Sequence, residues 1–197
     1  AADDSAGLAE YADVVVTAIG DREELILVAQ SLGGFTAPLV CERVPVDLLI
    51  LVAAMVPAPG ETPGEWWANT GQSEAERAVR QAYGLDPDGP FDPRFTFLHD
   101  IPDEVLAQLM AEGEPIQSGT PFAKPWPLTA WPDVPTRFLL CQDDRLFPAD
   151  FQRRVVEQRL GITPDEMPGG HLPAFAHPAE LVERLERYRI SGARASG

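Results

Sequence analysis

The sequence predicts an α/β fold, a mostly parallel sheet with helices on both faces and a helical cap inserted into it. Three observations predict it. Apolar runs recur at Leu25–Gln30, Leu48–Ala54 and Thr136–Cys141, and neither of the first two alternates with polar residues. Strands of that texture are covered on both faces. Helical patterns separate the runs, the alternation that builds parallel sheets. Between the second and third runs, from about Pro57 to Pro132, prolines, glycines and aromatics multiply, and so long a stretch between core elements reads as a functional lid. The core is therefore expected at 1–56 and 129–197, with the cap at 57–128.

Taken in order, Asp3, Asp4 and Ser5 are positioned to cap a helix that runs to Ile19, with Leu8, Tyr11, Val15 and Ile19 on one face and Gly20 as its stop. The first strand ends in Ala29-Gln30-Ser31-Leu32-Gly33-Gly34, and a helical pattern continues from Phe35 to Arg43. Inside the cap, Ser73-Glu74-Ala75-Glu76 matches a capping box for a helix to Tyr83. Asp100 is placed to cap another, with Pro102 in its first turn, running to Glu112. After the third run, Asp150 to Leu160 is helical and stops at Gly161. Thr163–Met167 reads as a short fourth strand, Pro168-Gly169-Gly170-His171 as a turn, and Pro178 as the start of a last helix carrying Leu181, Val182, Leu185 and Tyr188 on one face. The tail 191–197 is expected to be frayed.

Bulk properties narrow the classes. The 197 residues fit one domain with a substantial core. A net charge of −16, with Lys124 the only lysine, argues against nucleic acid and anionic membranes as partners. No apolar run is long enough for a membrane span, and the acidic start Ala-Ala-Asp-Asp-Ser does not resemble a signal peptide. Cys41 and Cys141 sit in apolar stretches and read as small hydrophobes, so a reducing cytoplasm is the expected location. Three scattered histidines show no ligand spacing, so no metal site and no cofactor are expected.

The chemistry lies in three short segments. A strand that turns at once into a helix with a serine at the apex is a nucleophile elbow: the turn strains the serine backbone and lifts its hydroxyl above the sheet. Ala29 and Gly33 occupy the flanking positions of G-x-S-x-G, with Ala in place of the first Gly. A serine nucleophile needs a base, and the base needs a carboxylate to orient it. Both are expected in loops that leave successive strands on the same sheet edge, where Asp143-Asp144 and His171 stand. The 26 residues between Asp144 and His171 accommodate one helix and one short strand.

Those segments, Ala29-Gln30-Ser31-Leu32-Gly33-Gly34, Leu140-Cys141-Gln142-Asp143-Asp144-Arg145-Leu146-Phe147-Pro148 and Met167-Pro168-Gly169-Gly170-His171, resemble the α/β-hydrolase fold family. The resemblance is to its bacterial esterase-like branch, similar to plant methylesterases and hydroxynitrile lyases. It implies a Ser31–His171–Asp144 triad and an acyl-enzyme. The family's acid stands four residues before the proline, as Asp144 does before Pro148, so Asp143 is expected to face solvent or cap the next helix. The backbone N–H of Leu32 is the expected oxyanion donor. The resemblance implies a small-molecule ester as substrate, handled by a serine hydrolase of the carboxylesterase kind, with a homodimer left open. Trp66, Trp67, Trp126 and Phe147 are candidates for an apolar substrate pocket, against the alternative that the tryptophans pack the lid. His99 reads as a helix-start residue and His177 as a cap of the last helix.

The sequence departs from the family pattern in two places. Upstream of Ser31 there is no His-Gly or Gly-Gly loop to supply the second oxyanion donor, and the family's first strand–helix–strand portion is not seen, so the fold is read as N-terminally incomplete. A missing donor costs on the order of 10²–10³ in turnover, which leaves a catalytically impaired ligand-binding protein as an alternative. The hydroxynitrile lyases of the family carry a lysine just after the histidine. Here Leu172 follows His171, which disfavours that activity.

Overall fold

The computed structural model describes residues 3–113 and 116–195. In chain order these form α1 (Leu8–Ile19), β1 (Ile26–Gln30), α2 (Gly33–Cys41), β2 (Leu48–Val52), α3 (Pro63–Thr70), α4 (Gln72–Ala82), α5 (Pro93–Thr96), α6 (Asp103–Glu112), α7 (Thr120–Ala123), β3 (Thr136–Cys141), α8 (Ala149–Leu160), β4 (Asp165–Met167), α9 (Pro173–Ala176) and α10 (Pro178–Ala195). One parallel sheet in the order β1-β2-β3-β4 forms the middle layer. Each strand lies beside its predecessor in the sequence, so every strand end that faces one rim of the sheet opens into the next loop.

The central strand β2 is wholly apolar and buried at every position. Its side chains alternate between two cores, because successive residues of a strand face opposite ways. Leu49 and Leu51 join Phe35, Val40, Phe138, Leu140, Phe151 and Val155 beneath α1, α2 and α8. Leu48, Ile50 and Val52 join Leu139, Met167 and Tyr188 beneath α10. There the Tyr188 hydroxyl donates to Asp165 at 2.8 Å, and burial together with that carboxylate pushes its pKa well above the usual range.

β1 differs from the buried strand its composition predicts. One edge pairs with β2 from Ile26↔Leu48 to Gln30↔Val52. The other edge has no strand partner among the described residues, and Val28 is 45% exposed there. An apolar groove of about 200 Å³ runs beside it, between α1 and α2, lined by Val15, Leu27, Ala29, Ala37 and Val40.

Between β2 and β3 the chain makes a long helical excursion, α3 to α7. Its true capping box is Thr62 with Glu65: Thr62 Oγ1 accepts the Glu65 N–H at 3.0 Å, and Glu65 accepts the Thr62 N–H at 2.9 Å. The box expected at Ser73 does not form, since the cap of α4 lies two residues earlier at the left-handed Gly71 and no side chain caps the helix. Asp100 does not cap α6 either, where Pro102 holds the cap position. At the start of the chain, Gly7 takes the cap position of α1, and Glu10 accepts its N–H at 2.7 Å, in place of the acidic cap expected from Asp3 to Ser5. The excursion is tied to α8 by Glu61 and Arg159, 2.9 Å apart at Arg159 Nη2. Burial works against the Glu61 carboxylate, but hydrogen bonds from Arg159, Asn69 and the Ala58 N–H outweigh it and hold its pKa below the ordinary glutamate value.

α10 continues to Ala195, further than the expected fraying at Ser191, with Glu180–Arg184 and Glu186–Arg189 pairs along its exposed side. No helix among the described residues is long and apolar enough to cross a membrane.

Candidate active site

β1 ends at Gln30, and Ser31 follows at φ +53°, a left-handed conformation that a serine adopts only under constraint. The constraint is local. Ser31 O accepts the N–H groups of Gly34 at 3.1 Å and of Met55 at 3.0 Å, so the turn is pinned both to its own helix and to the segment beyond β2. Gly34 explains why a small residue is needed: a Cβ there would lie 1.8 Å from Met55 O. Gly33, the flanking position singled out by the motif, has more room, with the nearest atom 3.4 Å away at Ala29 Cβ. The N–H of Leu32 donates to no acceptor among the described residues, and it follows the serine directly.

The loops after β3 and β4 lie side by side and extend the strand pairing: Gln142 N–H donates to Met167 O at 2.9 Å, and Asp143 N–H to Gly169 O at 3.0 Å. The Asp143 carboxylate returns the bond by accepting the Gly169 N–H at 3.0 Å. Asp143 is thus exposed, as expected, but it clamps the neighbouring loop and caps no helix. Asp144 turns inward. Its Oδ1 accepts the N–H groups of Leu146 and Phe147, each at 2.9 Å, and its Oδ2 lies 2.8 Å from His171 Nδ1. The other ring nitrogen, His171 Nε2, lies 3.0 Å from Ser31 Oγ. The Asp144 side chain is fully buried and that of His171 is 2% exposed. The chain therefore brings all three expected side chains into one continuous hydrogen-bonded relay. Residues 140 positions apart meet in it because both loops leave the same rim of the sheet. The side-chain amide of Gln30, one residue before the serine, donates to the backbone O of His171 and ties the strand end to the histidine's backbone.

Aromatic rings enclose the imidazole. Phe147 meets it edge-on with centroids 5.0 Å apart, and Phe97 lies 5.4 Å away on the excursion. Trp67 packs on Phe147 at 5.8 Å and is only half-buried. Of the two alternatives for Trp66 and Trp126, pocket wall or packing, their burial matches packing. Both are almost fully buried in the core beneath α1, α2 and α8. Their indole N–H groups are committed to backbone, Trp66 to Val56 O at 3.0 Å and Trp126 to Phe35 O at 3.1 Å. Arg145, beside the buried acid, stacks its guanidinium on Tyr83 and Phe95, 4.3 and 4.6 Å from their centroids.

Two further residues of the excursion, like Phe97, bear on the site without having been foreseen there. Asp100 Oδ2 accepts the Gly170 N–H at 2.6 Å. His99 lies against the same glycine; burial, with the positive charge of Arg145, holds its pKa below the ordinary histidine value. His177 holds the cap position of α10 as expected, its O accepting the Leu181 N–H at 3.0 Å, and its Nε2 lies 3.5 Å from Asp100 Oδ2. Of the two cysteines, Cys141 is buried and Cys41 half-buried; burial pushes the Cys41 thiol up to about 11 and Cys141 higher still, so both are poor thiolate sources.

Comparison with known proteins agrees with this architecture. Methylesterase 9 from Arabidopsis thaliana is 24% identical over 188 residues, spanning 87% of this chain and 73% of its own. Methyl jasmonate esterase 1 from Vitis vinifera is 23% identical over 190 residues, spanning 87% of this chain and 72% of its own. Among solved structures, a pyrethroid hydrolase from Sphingobium faniae JZ-2 superposes with a TM-score of 0.68 at 22% identity, covering 96% of this chain and 80% of that one. An extracellular alpha/beta-hydrolase from a Paenibacillus species superposes with a TM-score of 0.71 at 18% identity, covering 94% of this chain and 81% of that one. The sequence profile of the alpha/beta hydrolase family matches residues 1–184, and the chain belongs to that family.

Proposed function

We propose that the chain is a serine carboxylesterase acting on small hydrophobic esters. The observation that carries the reading is the unbroken relay from Ser31 Oγ through His171 to Asp144, with links of 3.0 and 2.8 Å, starting from a serine held at φ +53°. His171 Nε2 takes the Ser31 proton as Oγ attacks the ester carbonyl carbon, and Asp144 holds the Nδ1–H tautomer and stabilises the imidazolium that forms. The oxyanion accepts the free N–H of Leu32. The imidazolium then gives its proton to the leaving alcohol, and the acyl group stays on Ser31. Water deprotonated by His171 attacks the acyl carbon, and the imidazolium returns its proton to Ser31 Oγ as the acyl–oxygen bond breaks and the acid leaves. Residues 57–128 act as a cap over this rim. Phe147, Trp67 and Phe97 supply the apolar wall beside His171, which favours a hydrophobic acyl or alcohol group.

The reading also draws on the relatives whose names describe them as methylesterases. It is tested with a series of p-nitrophenyl esters of increasing acyl length. Turnover is expected to favour short and medium chains. Ser31→Ala is expected to lose on the order of 10⁴-fold or more in kcat while melting like the parent chain. Parent-level turnover in that variant would overturn the assignment.

A further inference from the structure

Asp100 occupies the turn before α6 but does nothing for that helix, which starts without a side-chain cap. Its carboxylate points across to the core and accepts the Gly170 N–H at 2.6 Å, the peptide next to His171. A charged acceptor at that distance makes one of the stronger kinds of protein hydrogen bond. Among the described residues this is the one hydrogen bond from the α3–α7 excursion to the Met167–His171 turn. The fit around it is close. A Cβ on Gly170 would fall 2.7 Å from His99 Nε2 and 2.9 Å from Asp100 Oδ1. A Cβ on Gly169, itself at φ +106°, would fall 2.3 Å from the His177 ring. The turn that carries His171 is thus gripped from three sides, by Asp143 of the core, by His177 and by the excursion.

The arrangement also has a cost. Asp100 Oδ1 and His99 Nε2 are both buried without a hydrogen-bond partner, and an orphaned buried polar atom is unfavourable.

We propose that Asp100 is a positioning residue for His171: by accepting the Gly170 N–H it makes alignment of the imidazole depend on the seating of the α3–α7 excursion against the core. The inference rests on His171 acting as the base of the proposed esterase. When the excursion lifts, the Gly169–Gly170 peptide, one before His171, loses its acceptor and the imidazole loses its aim at Ser31 Oγ. Productive chemistry is thereby confined to the seated state, in which Phe97 also covers the ring.

The test uses Asp100→Ala, Asp100→Asn and Gly170→Ala, read two ways. The first is the downfield proton NMR signal of the His171 Nδ1–H, assigned by its loss in His171→Gln and observed without substrate. The second is p-nitrophenyl ester turnover. Asp100→Ala is expected to broaden or abolish the signal and to lower kcat ~10-fold or more, since small misplacements of a catalytic group are costly, with KM little changed. Gly170→Ala pushes the two partners apart from the other side and is expected to do the same, which keeps the test available if Asp100→Ala does not fold. Asp100→Asn keeps an acceptor oxygen and is expected to retain the signal and most of kcat. A lowered melting temperature with the signal and kcat both intact in Asp100→Ala would overturn the proposal. A parent chain with no turnover whose signal is nevertheless lost in Asp100→Ala would overturn the esterase reading and support the role of Asp100.

Discussion

β1 and β2 are five-residue parallel strands in adjacent registers, Ile-Leu-Val-Ala-Gln beside Leu-Leu-Ile-Leu-Val, yet their surroundings are opposite. Every residue of β2 is buried, whereas in β1 only Ala29 is buried and Val28 is 45% exposed. The difference is one of position, since β2 has a strand on each side and β1 on only one among the described residues. It shows that the chemistry of this fold depends on the ends of its strands more than on their flanks. β1 ends in the proposed nucleophile although its flank is open, and Ser31 is pinned at the strand end by Gly34 and by Met55 beyond β2.

The largest expected effect lies at that shared end. Gly34→Ala places a methyl group in the path of Met55 O, and the forced backbone shift is expected to cost about 3 kcal/mol or more. Thermal melting should show the loss, and ester turnover should fall with it as Ser31 is displaced. Next comes the buried strand: Leu51→Ala is expected to cost about 2–5 kcal/mol by denaturant unfolding, the usual range for a core leucine. Val28→Ala, on the open flank, should cost about 1 kcal/mol or less. Equal losses at the two positions would break the contrast between the strands.

A smaller effect is expected from the tie between the excursion and α8. The Glu61 pKa is lowered in the folded chain, so the stability it brings is present above the ordinary glutamate value and is lost as pH falls through the lowered one. Glu61→Gln should cost about 2 kcal/mol at neutral pH, between the values for exposed and buried pairs. It should also flatten the fall of melting temperature on acidification; an unchanged slope would remove Glu61 from the acid response. The smallest effect concerns association. An unpaired apolar strand edge invites pairing with another chain. Val28→Glu should therefore lower concentration-dependent light scattering while barely moving the melting temperature, and unchanged scattering would argue that the edge is protected in solution.

Much of this site was legible in the sequence because its signals are local. The segment Thr136–Cys141, apolar from Phe138 onward, matches β3 residue for residue. Ser31 and Asp144 each sit where an apolar run gives way to a loop, and His171 follows the short fourth strand through a Gly-Gly turn, so strand alternation gathers them on one rim. Signals that depend on distant neighbours were not legible. Ser73 with Glu76 imitates a capping box as well as Thr62 with Glu65 does, and only the left-handed Gly71 between the two helices decides between them. Asp100-Ile101-Pro102 imitates a helix start, while the true partner of Asp100 is a peptide 70 residues away. Phe97 carries no local mark of its place beside His171. Trp66 and Trp126 share the composition of a pocket wall, but their buried N–H groups hold Val56 and Phe35 carbonyls in the core. The exposure of β1 could not be read from its composition, because an apolar run does not record how many strands lie beside it.

The central claim is that Ser31 is an activated nucleophile because His171 and Asp144 hold it so. The most direct measurement is reaction with a fluorophosphonate probe followed by intact-mass and peptide mass spectrometry. One adduct per chain is expected, on Ser31, with the rate of labelling strongly reduced in His171→Gln and in Asp144→Ala. A chain that stays unlabelled, or one labelled on Ser31 at the same rate in the absence of His171, would contradict it.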